Sequence, residues 1–330
     1  MRSDQKSVTV TTGYLRPGGR ADVLLREAGF DVRFSPESSR RTTDRPVHED
    51  VPQSDAMILG TEPLTAADLA GIDGLRIVAR TGAGYDNVDL AAADEHGIVV
   101  CNTPGANRQS VVELTLGLLL SLARDLPRNI HGTARAQWDQ HSGTELAGAT
   151  LGIMGVGMIG QSVAASAAAL GMSVIGYDPW VDDDAMADAG VRSATLDQLL
   201  RSSDFVSLHM ALTDDTRGLV DRSALRCMKP SAYLVNTSRG GIVNESDLIA
   251  ALDAGEIAGA ALDVIEREPI ASDDPLLGAR NLLMTAHIAG ATVQARERSE
   301  ELAARQIIDF FAGQQPAHRV NGHGGHDGRR

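Results

Sequence analysis

The sequence predicts an α/β protein built from two doubly wound parallel sheets with a cleft between them. Strand-like and helix-like segments alternate over residues 8–104 and resume after residue 149, which is the βαβ rhythm of parallel sheets. Aromatic residues make up only 3% of the chain, so the core must be aliphatic, as in buried parallel sheets. A length of 330 residues is compatible with two domains.

The first half of the chain contains five predicted strands joined by helices. Gly29 and Gly97 end two of the helices, and Thr65 is a plausible N-cap of another. The segment from Pro36 to Pro52 is rich in Ser, Arg, Thr and Pro, and we expect a mobile surface loop there. The strands are predicted over residues 7–12, 30–34, 55–60, 75–80 and 98–102, and the helices over 21–28, 65–70 and 88–95.

The segment Thr103-Pro104-Gly105, whose proline and glycine interrupt secondary structure, predicts the crossing into the second domain. Ser110 is expected to cap a long apolar helix over residues 111–126, which Pro127 ends. The tail over 314–330 is predicted to be disordered, because its His318, His323 and His326 lack a second cluster of metal ligands. Between the helix over 111–126 and the tail, strands are predicted over residues 149–155, 173–177, 205–210, 232–237, 257–264 and 281–287, and helices over 162–170, 196–202, 222–228, 245–254 and 292–312.

The glycine-rich stretch Gly155-Val-Gly-Met-Ile-Gly160 stands between an apolar strand and an Ala-rich helix. That context is the one a dinucleotide-binding turn requires. Gly155 allows the tight turn, Gly157 lets the backbone approach a pyrophosphate, and Gly160 lets the helix pack closely on the strand. An ordinary βα turn without a ligand is the alternative interpretation.

Asp178 ends the next predicted strand, 23 residues after Gly155. A carboxylate at about this spacing accepts hydrogen bonds from the adenosine ribose and repels a 2′-phosphate. No Lys or Arg follows until Arg192, and three further aspartates follow Asp178 closely. The sequence therefore predicts NAD rather than NADP.

The formal net charge is −14, which argues against nucleic acid and anionic membranes as partners. A local Arg cluster could still bind an anionic substrate. Cys101 and Cys227 have no CxxC spacing, so we expect two reduced thiols in a cytoplasmic protein. The first residues contain no apolar run, and no signal peptide is expected.

Polar side chains stand at the ends of predicted strands, where open α/β sheets bind ligands. Hydride transfer to a 2-keto acid needs an Arg fork for the carboxylate, a His that donates a proton, and a carboxylate that orients the His. Arg239, Glu268 and His287 match these three roles. The backbone N–H groups of Gly82-Ala83-Gly84 could bind the carboxylate as well. Taken singly, each side chain could be an ordinary structural residue.

These residues belong to a longer series of motifs through which the chain resembles the NAD-dependent D-isomer-specific 2-hydroxyacid dehydrogenases, closest to the phosphoglycerate dehydrogenase branch. The motifs span nearly the whole chain in order. They are Arg80-Thr-Gly-Ala-Gly-Tyr-Asp-Asn-Val-Asp89, Asn102-Thr-Pro, Ser110-Val-Val-Glu-Leu-Thr, Gly155 to Gly160, Met228-Lys-Pro, Asn236-Thr-Ser-Arg-Gly-Gly, Ala261-Leu-Asp-Val with Glu268-Pro269, and His287-Ile-Ala-Gly-Ala-Thr.

The resemblance implies that His287 is the catalytic acid/base, Glu268 its partner and Arg239 the substrate clamp. It places Asp178 on the adenosine ribose and Asp263 near the nicotinamide amide. The predicted cofactor-binding residues are Gly155, Gly157, Met158, Ile159, Gly160, Asp178, His209, Thr237, Asp263 and Gly290. The predicted substrate-binding residues are Arg80, Gly82, Ala83, Gly84, Asn107 and Arg108, and no metal is expected.

The resemblance also implies an NAD-binding Rossmann domain over residues 105–291. A discontinuous, flavodoxin-like substrate domain would comprise residues 1–104 and 292–330. The family is usually dimeric, so a homodimer is expected with the helix over 111–126 in its interface, although core packing could equally explain that helix. The chain ends at residue 330, without the regulatory extension of many phosphoglycerate dehydrogenases, so feedback regulation by serine is not expected.

Arg80 is the most informative residue for substrate choice, because it resembles an Arg that contacts substrate phosphate in some phosphoglycerate dehydrogenases. Our hypothesis is a substrate with a second anionic group, phosphate or phosphonate, such as 3-phosphoglycerate. A surface arginine at a strand end is the alternative. Other readings are a glyoxylate or hydroxypyruvate reductase, a hydroxyalkylphosphonate dehydrogenase of specialised metabolism, and an NADH-sensing binding protein like a co-repressor.

Overall fold

The computed structural model describes residues 5–35 and 46–322, and the chain forms two compact units. The first unit contains the described residues up to Asn107 and those from Gly290 onward. The second unit runs from Arg108 to Ala289. We refer to them as unit 1 and unit 2. The predicted histidines His323 and His326, and residues 36–45 of the predicted loop, lie outside the described residues.

Unit 1 is built on a five-stranded, all-parallel sheet with the strand order β2-β1-β3-β4-β5, the flavodoxin-like order. Its central strands are buried along their whole length, which explains their Val, Ile, Ala and Leu content. The strands are β1 (Ser7–Val10), β2 (Asp31–Phe34), β3 (Ala56–Leu59), β4 (Ile77–Arg80) and β5 (Val99–Cys101), and the helices are α1 (Arg20–Glu27), α2 (Val47–Asp50), α3 (Ala66–Gly71) and α4 (Leu90–Glu95).

Unit 2 begins with two helices, α5 (Arg108–Ala123) and α6 (Leu126–Ala134), and continues as a seven-stranded parallel sheet. The strand order, β12-β11-β10-β9-β6-β7-β8, is the Rossmann order with one added strand. The strands are β6 (Thr150–Met154), β7 (Ser173–Tyr177), β8 (Arg192–Ser193), β9 (Phe205–Leu208), β10 (Tyr233–Asn236), β11 (Gly259–Leu262) and β12 (Leu282–Met284). The helices are α7 (Met158–Ala169), α8 (Asp183–Asp188), α9 (Leu196–Ser202), α10 (Arg222–Cys227) and α11 (Glu245–Ala254), with short 3₁₀ helices at Gly240–Ile242 and Pro275–Gly278.

The last helix, α12 (Val293–Phe311), belongs to unit 1 and contributes Ala303, Ala304 and Ile307 to its core. Thr292 caps it by accepting a hydrogen bond from the backbone N–H of Ala295. The prediction of two doubly wound parallel sheets is therefore confirmed. Each sheet has its own aliphatic core.

The long helix α5 differs from its prediction at both ends. It begins at Arg108, so Ser110 lies inside the helix and is not its cap. Pro127 does not end α5; it lies in the first turn of α6, after the N-cap residue Asp125. The first turn tolerates proline because the missing N–H would have no intrahelical partner there.

The tail also differs from its prediction, because residues 314–322 are held against unit 1. Asn321 is 3% exposed, and its side-chain amide bonds Val100 N, Asp94 Oδ1 and Ile98 O. These contacts correct the predicted disorder for these residues. Helix α2 likewise lies inside the predicted loop. Cys101 and Cys227 are free thiols, and within the described ranges no helix could cross a membrane.

Candidate active site

The turn between β6 and α7 has the steric features that its three glycines predict. Gly155 has φ +94°, and a Cβ there would lie 2.6 Å from the main-chain carbon of His209. A Cβ on Gly160 would lie 2.1 Å from the carbonyl oxygen of Gly155, so only glycine lets α7 pack so closely on the strand end. A Cβ on Gly157 would meet nothing within 4 Å. The space above Gly157 is therefore open to a ligand.

The N-terminus of α7 is directed at this open space, and no side chain caps it. Gly157 is the N-cap residue and makes no side-chain cap, and Met158, the first helical residue, is 50% exposed. Helix α7 has 12 residues, so its N–H groups and dipole favour an anion at this end. The turn therefore fits a pyrophosphate, with Met158 and Ile159 supplying the backbone N–H groups.

Asp178 follows β7 and connects the turn to the next loop. Its Oδ2 accepts a hydrogen bond from Val156 N at 2.9 Å, and its Oδ1 accepts one from Trp180 N at 2.9 Å. These bonds fix the carboxylate beside the glycine turn. Each oxygen keeps a further lone pair for a ribose hydroxyl.

Two of the predicted cofactor residues, His209 and Thr237, directly follow the neighbouring strands β9 and β10. Burial lowers the pKa of His209 to about 4, so its imidazole is neutral at pH 7 and bonds the hydroxyl of Ser207 at 2.9 Å. Thr237 is buried, and its hydroxyl lies 3.0 Å from that of Thr115 on α5. Both residues therefore have structural partners in addition to any ligand.

Arg239 lies in a loop that is held by hydrogen bonds to the side chain of Asn236, at the end of β10. The buried amide of Asn236 donates to the carbonyl of Arg239 at 2.8 Å and accepts from the N–H and hydroxyl of Ser238. The next residue, Gly240, packs against the main chain of Ile265, because a Cβ there would lie 2.0 Å from its carbonyl carbon. This contact fixes the Arg239 loop against the loop that carries Glu268.

Glu268 and His287 form a hydrogen-bonded pair. Nδ1 of His287 lies 2.8 Å from Oε2 of Glu268, and the two side chains are 26% and 20% exposed. A carboxylate on Nδ1 makes that nitrogen the donor, so Nε2 is the nitrogen left to exchange a proton with a ligand. Arg239, Glu268 and His287 follow β10, β11 and β12, three adjacent strands, so the structure brings the predicted set to one edge of the sheet.

His287 has an unusual backbone conformation and lies beyond the end of β12, which stops at Met284. Its φ is +52°, a left-handed conformation that costs a non-glycine residue about 1–2 kcal/mol. Its N–H donates to the carbonyl of Asp263 at 2.8 Å. The direction of the imidazole therefore depends on the contacts that keep the backbone of this turn in place.

Asp263 is buried and binds that turn through its carboxylate. Oδ1 accepts from the hydroxyl of Thr285 at 2.5 Å and from Ile288 N at 2.8 Å. Oδ2 accepts from Ala289 N at 2.8 Å. Sequence reasoning did not single out Thr285; the signal was a hydroxyl residue two positions before the candidate histidine.

In unit 1, the predicted anion-binding residues are Arg80, the last residue of β4, and the loop that follows it. Arg80 is buried, and its Nη1 donates to Thr81 O at 2.9 Å. A Cβ on Gly82 would lie 1.5 Å from that Nη1, so Gly82 leaves room for the guanidinium. Thr103 and Asn102 bond Gly82 N and Ala83 O, which fixes the Gly82–Gly84 loop beside Arg80.

The remaining predicted residues lie at the chain crossings. Asn107 and Gly290 are neighbours in unit 1, since a Cβ on Gly290 would lie 3.1 Å from Nδ2 of Asn107. The buried Oδ1 of Asn107 finds no hydrogen-bond partner among the described residues. Arg108 is exposed at the start of α5 in unit 2. Within the described chain, no group of three metal-ligating side chains comes together.

Residues 116–289 match the family model for the NAD-binding domain of D-isomer specific 2-hydroxyacid dehydrogenases. A glyoxylate reductase from Korarchaeum cryptofilum is 40% identical over 280 residues, which cover 83% of this chain and 84% of that protein. A D-3-phosphoglycerate dehydrogenase from Methanocaldococcus jannaschii is 40% identical over 250 residues, or 75% of this chain and 48% of that protein. This chain spans about half the length of the curated phosphoglycerate dehydrogenases that it matches.

A solved structure extends the similarity to nearly the whole chain. The D-lactate dehydrogenase from Aquifex aeolicus, complexed with NAD and lactic acid, superposes with a TM-score of 0.83 at 27% identity. The alignment covers 96% of this chain and 99% of that one.

Proposed function

This chain belongs to the D-isomer specific 2-hydroxyacid dehydrogenase family and carries its NAD-binding domain, and we propose that it interconverts a small D-2-hydroxy acid and its 2-keto acid. The single observation that carries the proposal is the hydrogen-bonded pair of His287 and Glu268, which shares a sheet edge with Arg239. An acid, its orienting carboxylate and an arginine fork are what the reduction of a 2-keto acid requires. The activity, the substrate and the partners named below are all part of this proposal.

When bound, the reduced nicotinamide supplies the hydride that adds to the keto carbon. Arg239 holds the substrate carboxylate with two parallel hydrogen bonds, which fixes the keto carbon in position. Nε2 of His287 gives its proton to the keto oxygen as the hydroxyl forms. Glu268 accepts the Nδ1 hydrogen bond throughout and stabilises the charged imidazolium before the transfer. The reverse reaction uses His287 as the base.

The glycine turn and Asp178 would hold the cofactor. Met158 and Ile159 would bind the pyrophosphate through their backbone N–H groups, above the open space at Gly157. Asp178 would accept the ribose hydroxyls and disfavour a 2′-phosphate. Asp263 would lie near the nicotinamide amide, and His209 and Thr237, which follow neighbouring strands of the same sheet, would also contact the cofactor. Titration with both cofactors tests this choice, because tighter binding of NADPH than of NADH would contradict it.

The substrate would carry a second anionic group, phosphate or phosphonate, bound by Arg80. A buried guanidinium above the rigid Gly82–Gly84 loop supports this, because a fixed arginine fork is suited to phosphate recognition. Asn107 and Arg108 would assist. The substrate class would then be that of 3-phosphoglycerate.

The experiment is NADH consumption with a panel of 2-keto acids, measured for the protein and for Arg80→Ala. The panel pairs pyruvate, glyoxylate and hydroxypyruvate with phosphorylated and phosphonate analogues. We expect selective turnover of the doubly anionic acids, lost in the variant by about 10²-fold in kcat/KM. An unchanged kcat/KM of Arg80→Ala for the best substrate would reject the role of Arg80.

A glyoxylate or hydroxypyruvate reductase is the second candidate. It is favoured by the 40% identity to a glyoxylate reductase, since the shared region covers 84% of that protein. Preference for the plain acids in the same panel would select this candidate and make Arg80 structural. A hydroxyalkylphosphonate dehydrogenase would instead prefer the phosphonate analogues.

A binding protein that senses NADH without turnover is the candidate from another class, since one fold can host unrelated functions. NADH binding without consumption of any acid in the panel would favour it. The hydrogen-bonded His287 and Glu268 pair argues against it.

We also propose that the protein is a cytoplasmic homodimer that joins through α5 and α6. Four large apolar side chains of this region are exposed, namely Leu120, Leu126, Ile130 and Trp138, the last by 83%. Their exposure on neighbouring elements supports an interface there, because apolar surface of this kind marks interaction sites. Ile130→Asp should convert a dimer into a monomer in light scattering, and an unchanged mass would move the interface elsewhere.

A further inference from the structure

Two arginine side chains of unit 1 lie over aromatic rings, one at each end of β4. The guanidinium carbon of Arg296, on α12, lies 5.0 Å from the centroid of the Tyr14 ring. That of Arg76, directly before β4, lies 5.2 Å from the centroids of the Phe310 and Phe311 rings. Within the described parts of the chain, no carboxylate lies within ion-pair distance of either guanidinium. Both cations are therefore held by aromatic faces.

Tyr14, in the loop after β1, connects its stacked arginine to the predicted anion-binding residues. Its hydroxyl bonds the side chain of Thr81, which directly follows Arg80. The Thr81 hydroxyl donates its own hydrogen to Leu59 O at 3.0 Å, so Tyr14 is the donor in the bond to Thr81. Tyr14 therefore attaches Arg296 to the carboxyl end of β4, where Arg80 lies.

The phenol of Tyr14 is neutral at pH 7 and lies in the electric field of both arginines. Burial raises its pKa to about 12, although the bond to Thr81 and the positive charges of Arg80 and Arg296 oppose the rise. Glu300 is the carboxylate that acts on the same phenol, but its oxygens accept hydrogen bonds from the N-terminus of α1. Two guanidinium groups are thus left to meet an anion beside Tyr14, in a protein whose formal net charge is −14.

We propose that Arg296 is a second cation for the anionic group that Arg80 binds, and that Tyr14 is the positioning residue that keeps the two arginines together. A phosphate carries about two negative charges at pH 7 and three acceptor oxygens, more than one arginine fork can pair with. An aromatic face holds a guanidinium in place without neutralising it, as a carboxylate would. This inference rests on the proposed function, because it adds residues to the substrate site of that function.

Arg296→Ala in the panel of 2-keto acids is the first test, with Arg76→Ala as the matched control. We expect Arg296→Ala to lower kcat/KM about 10-fold for the doubly anionic acids and by about 2-fold or less for the plain acids. Because Arg296 is exposed, its contribution should shrink at about 0.5 M salt. Arg76→Ala removes the same kind of contact at the other end of β4 and should change neither class. Equal losses for both classes of acid would overturn the proposal.

The charge of Arg296 can be separated from its packing by two longer side chains. Arg296→Lys keeps a cation and should retain most of the rate, whereas the uncharged Arg296→Gln should lose as much as Arg296→Ala. Loss in both would show that packing, and not charge, is the role of this arginine.

Tyr14 is tested in the same panel. Tyr14→Phe keeps the ring beneath Arg296 and loses the bond to Thr81, so kcat/KM for the doubly anionic acids should fall about 3-fold. Tyr14→Leu loses the ring as well and should cost about 10-fold. If Tyr14→Leu does not fold, Tyr14→Phe still decides. No loss in either variant would reject the positioning role.

Titration with inorganic phosphate gives a readout that needs no turnover. We expect its Kd, measured by calorimetry, to rise about 10-fold in Arg80→Ala and in Arg296→Ala and to stay unchanged in Arg76→Ala. A rise in Arg80→Ala alone would remove Arg296 from the site and leave the proposed function standing. If no 2-keto acid is turned over, the proposed function fails, while the phosphate titration still decides whether the two arginines share an anion.

Discussion

The first βα turn of each sheet leads to a helix N-terminus, and the two units treat that end in opposite ways. In unit 2, α7 follows the glycine turn, and Gly157 leaves its N-terminus open. In unit 1, the N-terminus of α1 is filled by carboxylates of the protein. Asp22 accepts from Gly18 N at 2.7 Å, and Glu300 accepts from the N–H groups of Arg20 and Ala21.

The difference teaches that the parallel-sheet topology does not by itself create an anion site. Both sheets place a helix N-terminus at the carboxyl edge, where its N–H groups need an acceptor. Unit 1 supplies the acceptor internally, and unit 2 leaves it to a ligand. Burial raises the pKa of Glu300, although those backbone N–H groups oppose the rise. Both helices have an N-cap glycine, so the two ends differ in the carboxylates that reach them and not in the glycine itself.

The catalytic side chains should all lie at the sheet edge of unit 2 that carries the open helix N-terminus, and the largest loss of activity is expected for Arg239→Gln. Loss of the fork should lower kcat/KM about 10³-fold for every 2-keto acid, plain or doubly anionic. Steady-state kinetics over the panel would check it, with NADH titration to show that the cofactor still binds. Arg239→Lys should recover little, because a point charge cannot bind bidentately. A loss limited to phosphorylated acids would contradict the assignment.

The two N-cap glycines offer a matched pair. Gly157→Ala should raise the Kd of NADH about 10–100-fold, because the methyl group fills the space that the pyrophosphate would occupy. The fold should survive, since no protein atom lies within 4 Å of that Cβ. Gly19→Ala, at the N-cap of α1, puts a Cβ 3.0 Å from Arg16 O and should lower the stability of unit 1, but it should leave the Kd unchanged. Equal effects of the two substitutions on NADH binding would break the comparison.

Met158→Glu would give α7 the internal carboxylate that α1 already has. We expect the Kd of NADH to rise about 10-fold, because the new charge repels the pyrophosphate. The free protein should gain about 0.3–1 kcal/mol from the helix dipole. Calorimetry and fluorescence titration measure the two effects, and Met158→Gln controls for the lost thioether. Weaker binding without any gain in stability would leave the helix-end account unsupported.

A smaller effect is expected at two aspartates that directly precede strands, Asp55 before β3 in unit 1 and Asp204 before β9 in unit 2. Burial raises the pKa of Asp55, but hydrogen bonds from Ser7 and Lys6 outweigh it, so the net pKa is lowered. Asp204 behaves likewise through Lys229 and Thr150. A lowered folded-state pKa stabilises the protein above the ordinary value of 3.8, and the contribution is lost as the pH falls through the folded-state pKa.

Asp55→Asn and Asp204→Asn should each therefore lower Tm at pH 7 by at most about 2–4 °C. The difference from the unmodified protein should shrink as the pH falls below 3.8. Thermal unfolding at a series of pH values would measure it. A difference that persists unchanged at the lowest pH would show that the carboxylate charge is not its source.

The parts that the sequence predicts are those encoded locally. The turn at Gly155, Gly157 and Gly160 follows from steric rules that act within one βα unit. The N-cap at Thr65 and the left-handed Gly97 after α4 also depend only on residues nearby in the sequence. The shared edge of Arg239, Glu268 and His287 followed from the rule that parallel strands end together.

The parts that the sequence does not predict depend on contacts between distant segments. Asp263 meets Thr285 because β11 and β12 are adjacent, and the sequence does not show that these two residues pair. Asn321 orders the tail through residues more than 200 positions earlier. Pro127 satisfies the rule for ending a helix and the rule for beginning one equally well, and only the structure shows which applies.

The most direct test of the central claim is single-turnover NADH oxidation by His287→Gln alongside the unmodified protein, with the best 2-keto acid of the panel. We predict that the oxidation rate falls about 10²–10⁴-fold, the usual contribution of a general acid. The Kd of NADH should stay unchanged, because the cofactor turn is intact. A variant that oxidises NADH as fast as the unmodified protein would contradict the account. So would an unmodified protein that binds NADH and reduces none of the acids.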